Sequence, residues 1–183
     1  MNPLVLAMWF TGAATLAVGA LMLSKKEVFG EFLQAFPRSQ TAAVILFGGG
    51  LAWFLWKVLH LGEADFGAFK HYLFGFFLIS GLGAYRYLPD FLAVRGLAIL
   101  ILLSASELLQ TAYLQAPVGR LTMVAWLYLL IVVGLILGAT PYRFRNLVSY
   151  LNRQTGAWKT TGLSFALVGG LILLSSLTCF SAG

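Results

Sequence analysis

The amino-acid sequence predicts an all-α, polytopic membrane protein with six transmembrane helices in a single domain, and three observations support this fold class. Of the 183 residues, 60% are hydrophobic and only 10% are charged, whereas a soluble domain is about 25% charged. Six apolar segments come close to, or exceed, the roughly 20 residues that a helix needs to cross a bilayer. Most polar residues are concentrated in the short connections between these segments.

Small residues within the apolar segments are spaced as a helix would place them on one face. Thr15 and Gly19 lie four residues apart in the first segment, and Gly162, Ala166 and Gly170 follow the same spacing in the last. Such spacing lets two helices approach closely in a membrane, so we expect these faces to pack. The six segments are Pro3–Leu23, Thr41–Leu61, Phe66–Ala84, Phe91–Gln115, Leu121–Gly138 and Thr160–Cys179.

Two connections have the pattern of amphipathic helices. Residues 24–40 read SKKEVFGEFLQAFPRSQ, and residues 140–159 read TPYRFRNLVSYLNRQTGAWK. Apolar residues recur at helical spacing among basic ones, which predicts helices that lie in the membrane interface. A third connection, YRYLPDFLAVR, also has an apolar and a charged side. The recurring order of segment, amphipathic piece and segment suggests repeat units 1–62, 66–117 and 118–180, which would be parallel rather than the inverted repeats typical of many transporters.

Lysine and arginine are distributed unevenly between the two sides of the predicted bundle. Nine fall in the first, third and fifth connections and three in the second and fourth. The positive-inside rule therefore predicts cytoplasmic amphipathic connections, with both termini outside, as in a bacterial inner (plasma) membrane protein. The net charge of +6 is explained by topology, so we expect no nucleic-acid partner. The residues expected to meet lipid headgroups are Lys25, Lys26, Arg143, Arg145 and Arg153.

Glu107 is the one acidic residue inside an apolar segment. A carboxylate at membrane depth costs about 2.5–3.5 kcal/mol on insertion scales, so it should face protein or water rather than lipid. Ser104 and Thr111 share its helical face, at spacings of three and four residues, and Gln110 lies beside it. This set is a candidate intramembrane polar site for a cation, a proton or a polar substrate. The alternative is a structural carboxyl group bonded to a neighbouring helix or a partner subunit.

His60 and His71 flank the predicted second connection. Two histidines across a hairpin suit the axial ligation of a b-type haem, but two interfacial histidines without a cofactor are the simpler interpretation. Cys179 is the single cysteine, which excludes an intramolecular disulfide and a cysteine metal cluster, and we expect no metal site. The sequence also contains none of the common phosphate-binding, hydrolase or metalloprotease motifs.

These observations favour a non-enzymatic role. The leading hypothesis is an integral subunit, accessory or scaffold protein of a larger membrane complex, which associates with other membrane subunits or with itself. The alternative is a small transporter or channel whose path is lined by Glu107 and its polar neighbours. A third, weaker hypothesis is a b-type haem protein that uses His60 and His71.

Overall fold

The computed structural model describes residues 2–88, 90–115 and 118–180, with side chains described as far as Thr178. These residues are almost entirely helical, and no β-strand occurs among them. The helices are α1 Pro3–Ser24, α2 Lys26–Ala35, α3 Gln40–Ala42, α4 Gly48–Leu59, α5 Lys70–Tyr87, α6 Leu92–Ala112, α7 Arg120–Ala139, α8 Tyr142–Arg153 and α9 Thr155–Phe180. A π-helical stretch, Ala43–Phe47, joins α3 to α4 without a break.

Five of these elements are long and apolar enough to cross a membrane, which indicates an integral membrane protein. Helix α5 has 18 residues but is not one of the five, since Lys70 and His71 at its start and Arg86 near its end lower its mean hydropathy. The candidate spans are Pro3–Ser24, Gln40–Leu59, Leu92–Ala112, Arg120–Ala139 and Thr155–Thr178.

Helices α1 and α9 form the most extensive contact of the bundle and run antiparallel. Their backbones touch where glycines face each other, because a Cβ atom added to Gly19 would lie 2.5 Å from the backbone nitrogen of Ala166. A Cβ atom added to Gly169 would lie 2.5 Å from the backbone nitrogen of Leu16, whereas the neighbouring Gly170 faces open space. The expected small-residue packing is therefore present, but Gly169 rather than Gly170 makes the contact.

Helices α4 and α6 run parallel to each other. Gly50 packs against Ile99, and Phe47, just before α4, packs against Gly96, so residue numbers rise together along both helices. Two parallel helices can be joined only by a chain segment that returns from the far end of the first to the near end of the second. In this protein the returning segment contains α5.

Helix α5 runs antiparallel to α4 and packs mainly against it. The rings of Phe54 and Phe77 meet edge to face with centroids 5.0 Å apart, and those of Phe47 and Tyr85 do so at 5.3 Å. These contacts join Phe77 and Tyr85 of α5 to α4 and to the π-helical stretch that precedes it.

Two of the three amphipathic connections form helices, α2 and α8. They pack against each other at one end of the bundle, where the Asn152 side-chain amide donates a hydrogen bond to the carbonyl of Gly30 at 3.3 Å. The third connection forms no separate amphipathic helix among its described residues, because its first residues belong to α5, which ends at Tyr87, and its last residues belong to α6, which begins at Leu92. Phe91, just before α6, has a left-handed backbone conformation with φ of 61°. Phe66, in the preceding connection, has a similar φ of 64°.

The bundle has separate apolar clusters towards its two ends. The cluster at the end opposite α2 and α8 joins α1, α6, α7 and α9, and includes Leu4, Met8, Met123, Leu127 and Ile172. At the end of α2 and α8, one cluster is built around Phe36, Val94 and Leu137 and another around Met22, Leu151 and Trp158. The amphipathic helices are therefore anchored by their apolar faces to the spans.

Candidate functional site

Glu107 forms an ion pair with Lys57, which connects α6 to α4. Glu107 lies five residues before the end of α6, and Lys57 lies two residues before the end of α4. Because the two helices run parallel, both side chains reach the same end of the bundle, opposite α2 and α8. The side chain of Glu107 is 43% exposed and that of Lys57 is 31% exposed, so the ion pair lies at the surface of the bundle.

Lys57 is the residue of this site that the sequence reasoning did not assign. Its position near the end of an apolar segment suggested a topological role. One feature of the sequence could have indicated the pair. Lys57 and Glu107 both lie towards the C-terminal ends of apolar segments that begin at basic connections. A lysine and a glutamate at the same depth can pair only if their helices are neighbours, which no local pattern specifies.

The other predicted members of the polar site do not gather around Glu107. Ser104 lines a crevice of about 220 Å³ between α1, α6 and α7, whose described lining does not include Glu107. Gln110 is exposed, and the hydroxyl of Thr111 donates to the carbonyl of Leu108 at 2.7 Å. Successive helical residues are rotated by about 100°, so Ser104 and Glu107 differ by roughly 60° and meet different neighbours.

The crevice beside Ser104 is largely apolar, and its threonines are already hydrogen-bonded. The hydroxyl of Thr11 donates to the carbonyl of Ala7 at 2.8 Å, and that of Thr15 donates to the carbonyl of Thr11 at 2.7 Å. Thr15 also accepts a hydrogen bond of 3.0 Å from the indole nitrogen of Trp126. The bond from Trp126 joins α7 to α1, and together the three bonds leave little polar surface for a ligand.

The two histidines have different surroundings. The imidazole of His60 contacts the ring of Trp56, with centroids 4.6 Å apart, and its Nδ1 lies 2.7 Å from the carbonyl oxygen of the same residue. His71 is exposed in the first turn of α5. Among the residues that the structure describes, no contact joins the two rings. A haem bound between them stays a prediction.

The five residues expected at lipid headgroups all belong to the end of the bundle formed by α2 and α8. Lys25, Arg143, Arg145 and Arg153 are exposed. Lys26 is half-buried, and its ammonium group donates to the hydroxyl of Thr155 at 2.9 Å, which fixes α2 to α9. Their clustering at one end agrees with the positive-inside pattern, and their contact with lipid stays a prediction.

The titratable side chains do not form a metal centre in the part of the chain that the structure describes. No group of three or more His, Cys, Asp or Glu residues is placed to hold a metal ion there. The side chain of Cys179 lies outside the described part. The arrangement that remains at the end opposite α2 and α8 is an accessible carboxylate paired with an ammonium group.

Comparisons with protein-family models, with curated proteins and with solved structures found no match to this chain. Its function is therefore argued from its own residues.

Proposed function

We propose that this chain is a non-enzymatic integral subunit or accessory protein of a larger membrane complex, and that α5 binds another membrane protein. The observation that supports this proposal is the poor fit between the composition of α5 and its surroundings. It has a single fully buried residue, Gly81, although it is less apolar than the candidate spans. A helix of this kind is better suited to protein than to lipid on its outer face.

The proposal includes α5 as a sixth membrane span. An 18-residue helix is about 27 Å long, close to the roughly 30 Å of hydrocarbon in a bilayer. Its antiparallel contact with α4, and the parallel course of α4 and α6, support a return of α5 across the same layer. We further propose that the end with α2 and α8 faces the cytoplasm of a bacterial cell and that both termini lie outside, because the basic residues cluster at that end.

The outer face of α5 has the chemistry of a helix–helix contact. Tyr72 and Ile79 are 79% and 73% exposed, and Phe76 and Tyr87 lie on the same face. A Cβ atom added to Gly83, on that side, would meet only the ring of Tyr87, at 4.0 Å. Aromatic residues are enriched in binding interfaces, and small residues allow close approach of membrane helices. The partner that fits this face is a transmembrane helix of another chain.

The first test is to extract the protein from its native membrane in mild detergent, measure the mass of the intact particle and identify its components by mass spectrometry. We expect at least one other integral membrane protein in a fixed ratio to this chain. A particle that contains only this chain would contradict the proposal, and a particle of two or more copies would replace the foreign partner with self-association.

A second test asks whether α5 is the contact. In a Cys179→Ser background, Ile79→Cys places a thiol on the outer face of α5, and Leu171→Cys places a matched thiol on the exposed face of α9. A short bifunctional thiol–amine reagent is then applied to membranes. We expect cross-linking to the partner from Ile79→Cys and not from Leu171→Cys. Equal yields from the two positions would remove α5 as the binding face.

The transport hypothesis is favoured by one observation, the accessible ion pair between Glu107 and Lys57. In this hypothesis a cation displaces Lys57 and binds the carboxylate of Glu107 at the outer entrance of a path. Ser104 opens into a different crevice, so the proposed path would begin at the ion pair without passing Ser104. Cation flux into proteoliposomes that is lost in Glu107→Gln would support this second function.

A further inference from the structure

A cavity of about 410 Å³ lies at the basic end of the bundle, between the end of α2 and the exposed side of α8. Cavities that bind small molecules have volumes of roughly 300–1,000 Å³. Three arginines line it. Arg38 follows α2 in a short 3-10 turn, while Arg145 and Arg153 come from α8, more than a hundred positions later in the sequence.

The arginines are arranged by the local structure of α8. Arg145, Ser149 and Arg153 are spaced by four residues and therefore follow one another along a single face of the helix. Asn152 also lines the cavity, and its hydrogen bond to Gly30 holds α8 against α2. The cavity is thus a product of the contact between the two amphipathic helices.

Among the described residues, no acidic group forms an ion pair with these arginines. The described lining of the cavity has no acidic side chain. Across the described residues, the one ion pair is Lys57–Glu107, at the opposite end of the bundle. Arg145 has its guanidinium carbon 5.8 Å from the ring centroid of Phe91, which orients the group without neutralising it. Three like charges around one cavity repel each other, and an anion would relieve this repulsion.

We propose that Arg38, Arg145 and Arg153 form a binding site for one phosphate group. Guanidinium groups bind phosphate oxygens through pairs of parallel hydrogen bonds, and Gln34, Ser149 and Asn152 add neutral polar groups to the same lining. The site is at the level of the interfacial helices, where lipid phosphates are found. The phosphate can therefore belong to the headgroup of an anionic lipid or to a soluble molecule.

Exposed apolar residues on the two amphipathic helices favour a lipid as the source of the phosphate. Phe32 on α2 and Leu147 on α8 are both more than half exposed. In a membrane these side chains would contact acyl chains, while the arginines reach the headgroup layer, as amphipathic helices do at an interface. A lipid phosphate would then meet the arginines without leaving the bilayer.

The test uses the full chain in nanodiscs of phosphatidylcholine and measures binding of phosphatidylglycerol by native mass spectrometry. The variants are Arg145→Gln and Arg153→Gln, and the matched control is Arg143→Gln, which removes the same charge from the same helix outside the cavity lining. We expect one saturable phosphatidylglycerol per chain. Each cavity variant should weaken its binding by about tenfold or more, as expected for the loss of charged hydrogen bonds.

The control and a soluble probe decide the interpretation. Arg143→Gln should change the affinity of the saturable site by less than about twofold, since the headgroup contact expected of Arg143 lies outside the cavity lining and a surface charge there contributes little to that site. Competition by inorganic phosphate, with the same dependence on Arg145, would support the site and assign it a soluble ligand. Arg145→Lys keeps the charge but loses the paired hydrogen bonds, so it should give an intermediate affinity. Equal weakening by Arg143→Gln and Arg145→Gln, or binding that never saturates, would overturn the proposal.

Discussion

The contact between α1 and α9 leads to a sharp prediction, because two adjacent glycines of α9 have opposite surroundings. A Cβ atom on Gly169 would lie 2.5 Å from the nitrogen of Leu16 and 2.8 Å from the carbonyl oxygen of Gly12, both backbone atoms. A Cβ atom on Gly170 would have nothing within 4 Å. Substitution by alanine should therefore destabilise the bundle at position 169 and leave the helix contact unchanged at position 170.

The size of the effect follows from the distances. Ordinary van der Waals contact for a Cβ atom begins at 3.4 Å, so Gly169→Ala must separate the two backbones locally by about 0.9 Å. A gap of 0.5–1 Å costs roughly a quarter to a half of the dispersion energy of each affected contact. Overpacking of a tight interior typically costs about 1–3 kcal/mol. The higher intrinsic helix propensity of alanine applies to both variants, so their difference isolates the clash.

The assay is equilibrium unfolding of the purified chain by sodium dodecyl sulfate in mixed micelles, followed by circular dichroism. We expect Gly169→Ala to be less stable than Gly170→Ala by about 1–3 kcal/mol. Gly19→Ala should be destabilised similarly, because its Cβ atom would meet the backbone of α9 at 2.5 Å. The double variant Gly19→Ala/Gly169→Ala should lose less than the sum, since the first separation makes room for the second methyl group. A Gly169→Ala protein as stable as Gly170→Ala would refute the backbone contact.

Three further predictions concern the remaining contacts. Trp158→Phe removes the indole donor that lies 2.6 Å from the carbonyl oxygen of Met22, which is in the last turn of α1, where carbonyls lack helical partners. The free energy of unfolding should fall by about 1–3 kcal/mol, and an unchanged value would contradict this role. In a double-mutant cycle of unfolding free energies, Lys57→Met and Glu107→Gln should be coupled by about 0.5–3 kcal/mol, and zero coupling would contradict an ion pair that contributes to stability. Cation flux into proteoliposomes that Glu107→Gln leaves unchanged would contradict the transport hypothesis. In a cysteine-free background, an impermeant maleimide should label Glu63→Cys in intact cells and Arg143→Cys only after the cells are broken; the reverse pattern would invert the proposed orientation.

Several features of the fold could be read from composition and local periodicity. Five of the six predicted apolar segments overlap the five candidate spans, and the connections after the first and fifth segments contain α2 and α8. Such features depend on residues that are close in sequence, since hydropathy over about 20 residues selects a span and spacing of three or four residues selects a helical face. The six-span count and the repeat units stay predictions.

The candidate sites could be predicted only in part. Glu107 was identified because a charge within an apolar segment needs a partner, but its partner Lys57 is on another helix. The basic residues of α8 were identified from charge, whereas Arg38, which shares their cavity, was not singled out for that role. In both cases the missing residue is distant in sequence and comes close only through helix packing.

The sequence by itself therefore determined the class of this protein, the positions of its apolar segments and the concentration of positive charge in alternate connections. Only the tertiary structure decided the directions and rotations of the helices, and with them the pairing of Lys57 with Glu107 and the contact of Gly169 instead of Gly170. The physical reason is that adjacent helical residues differ by about 100° in direction. A local pattern therefore defines a face, while its neighbour is selected by the packing of the whole bundle.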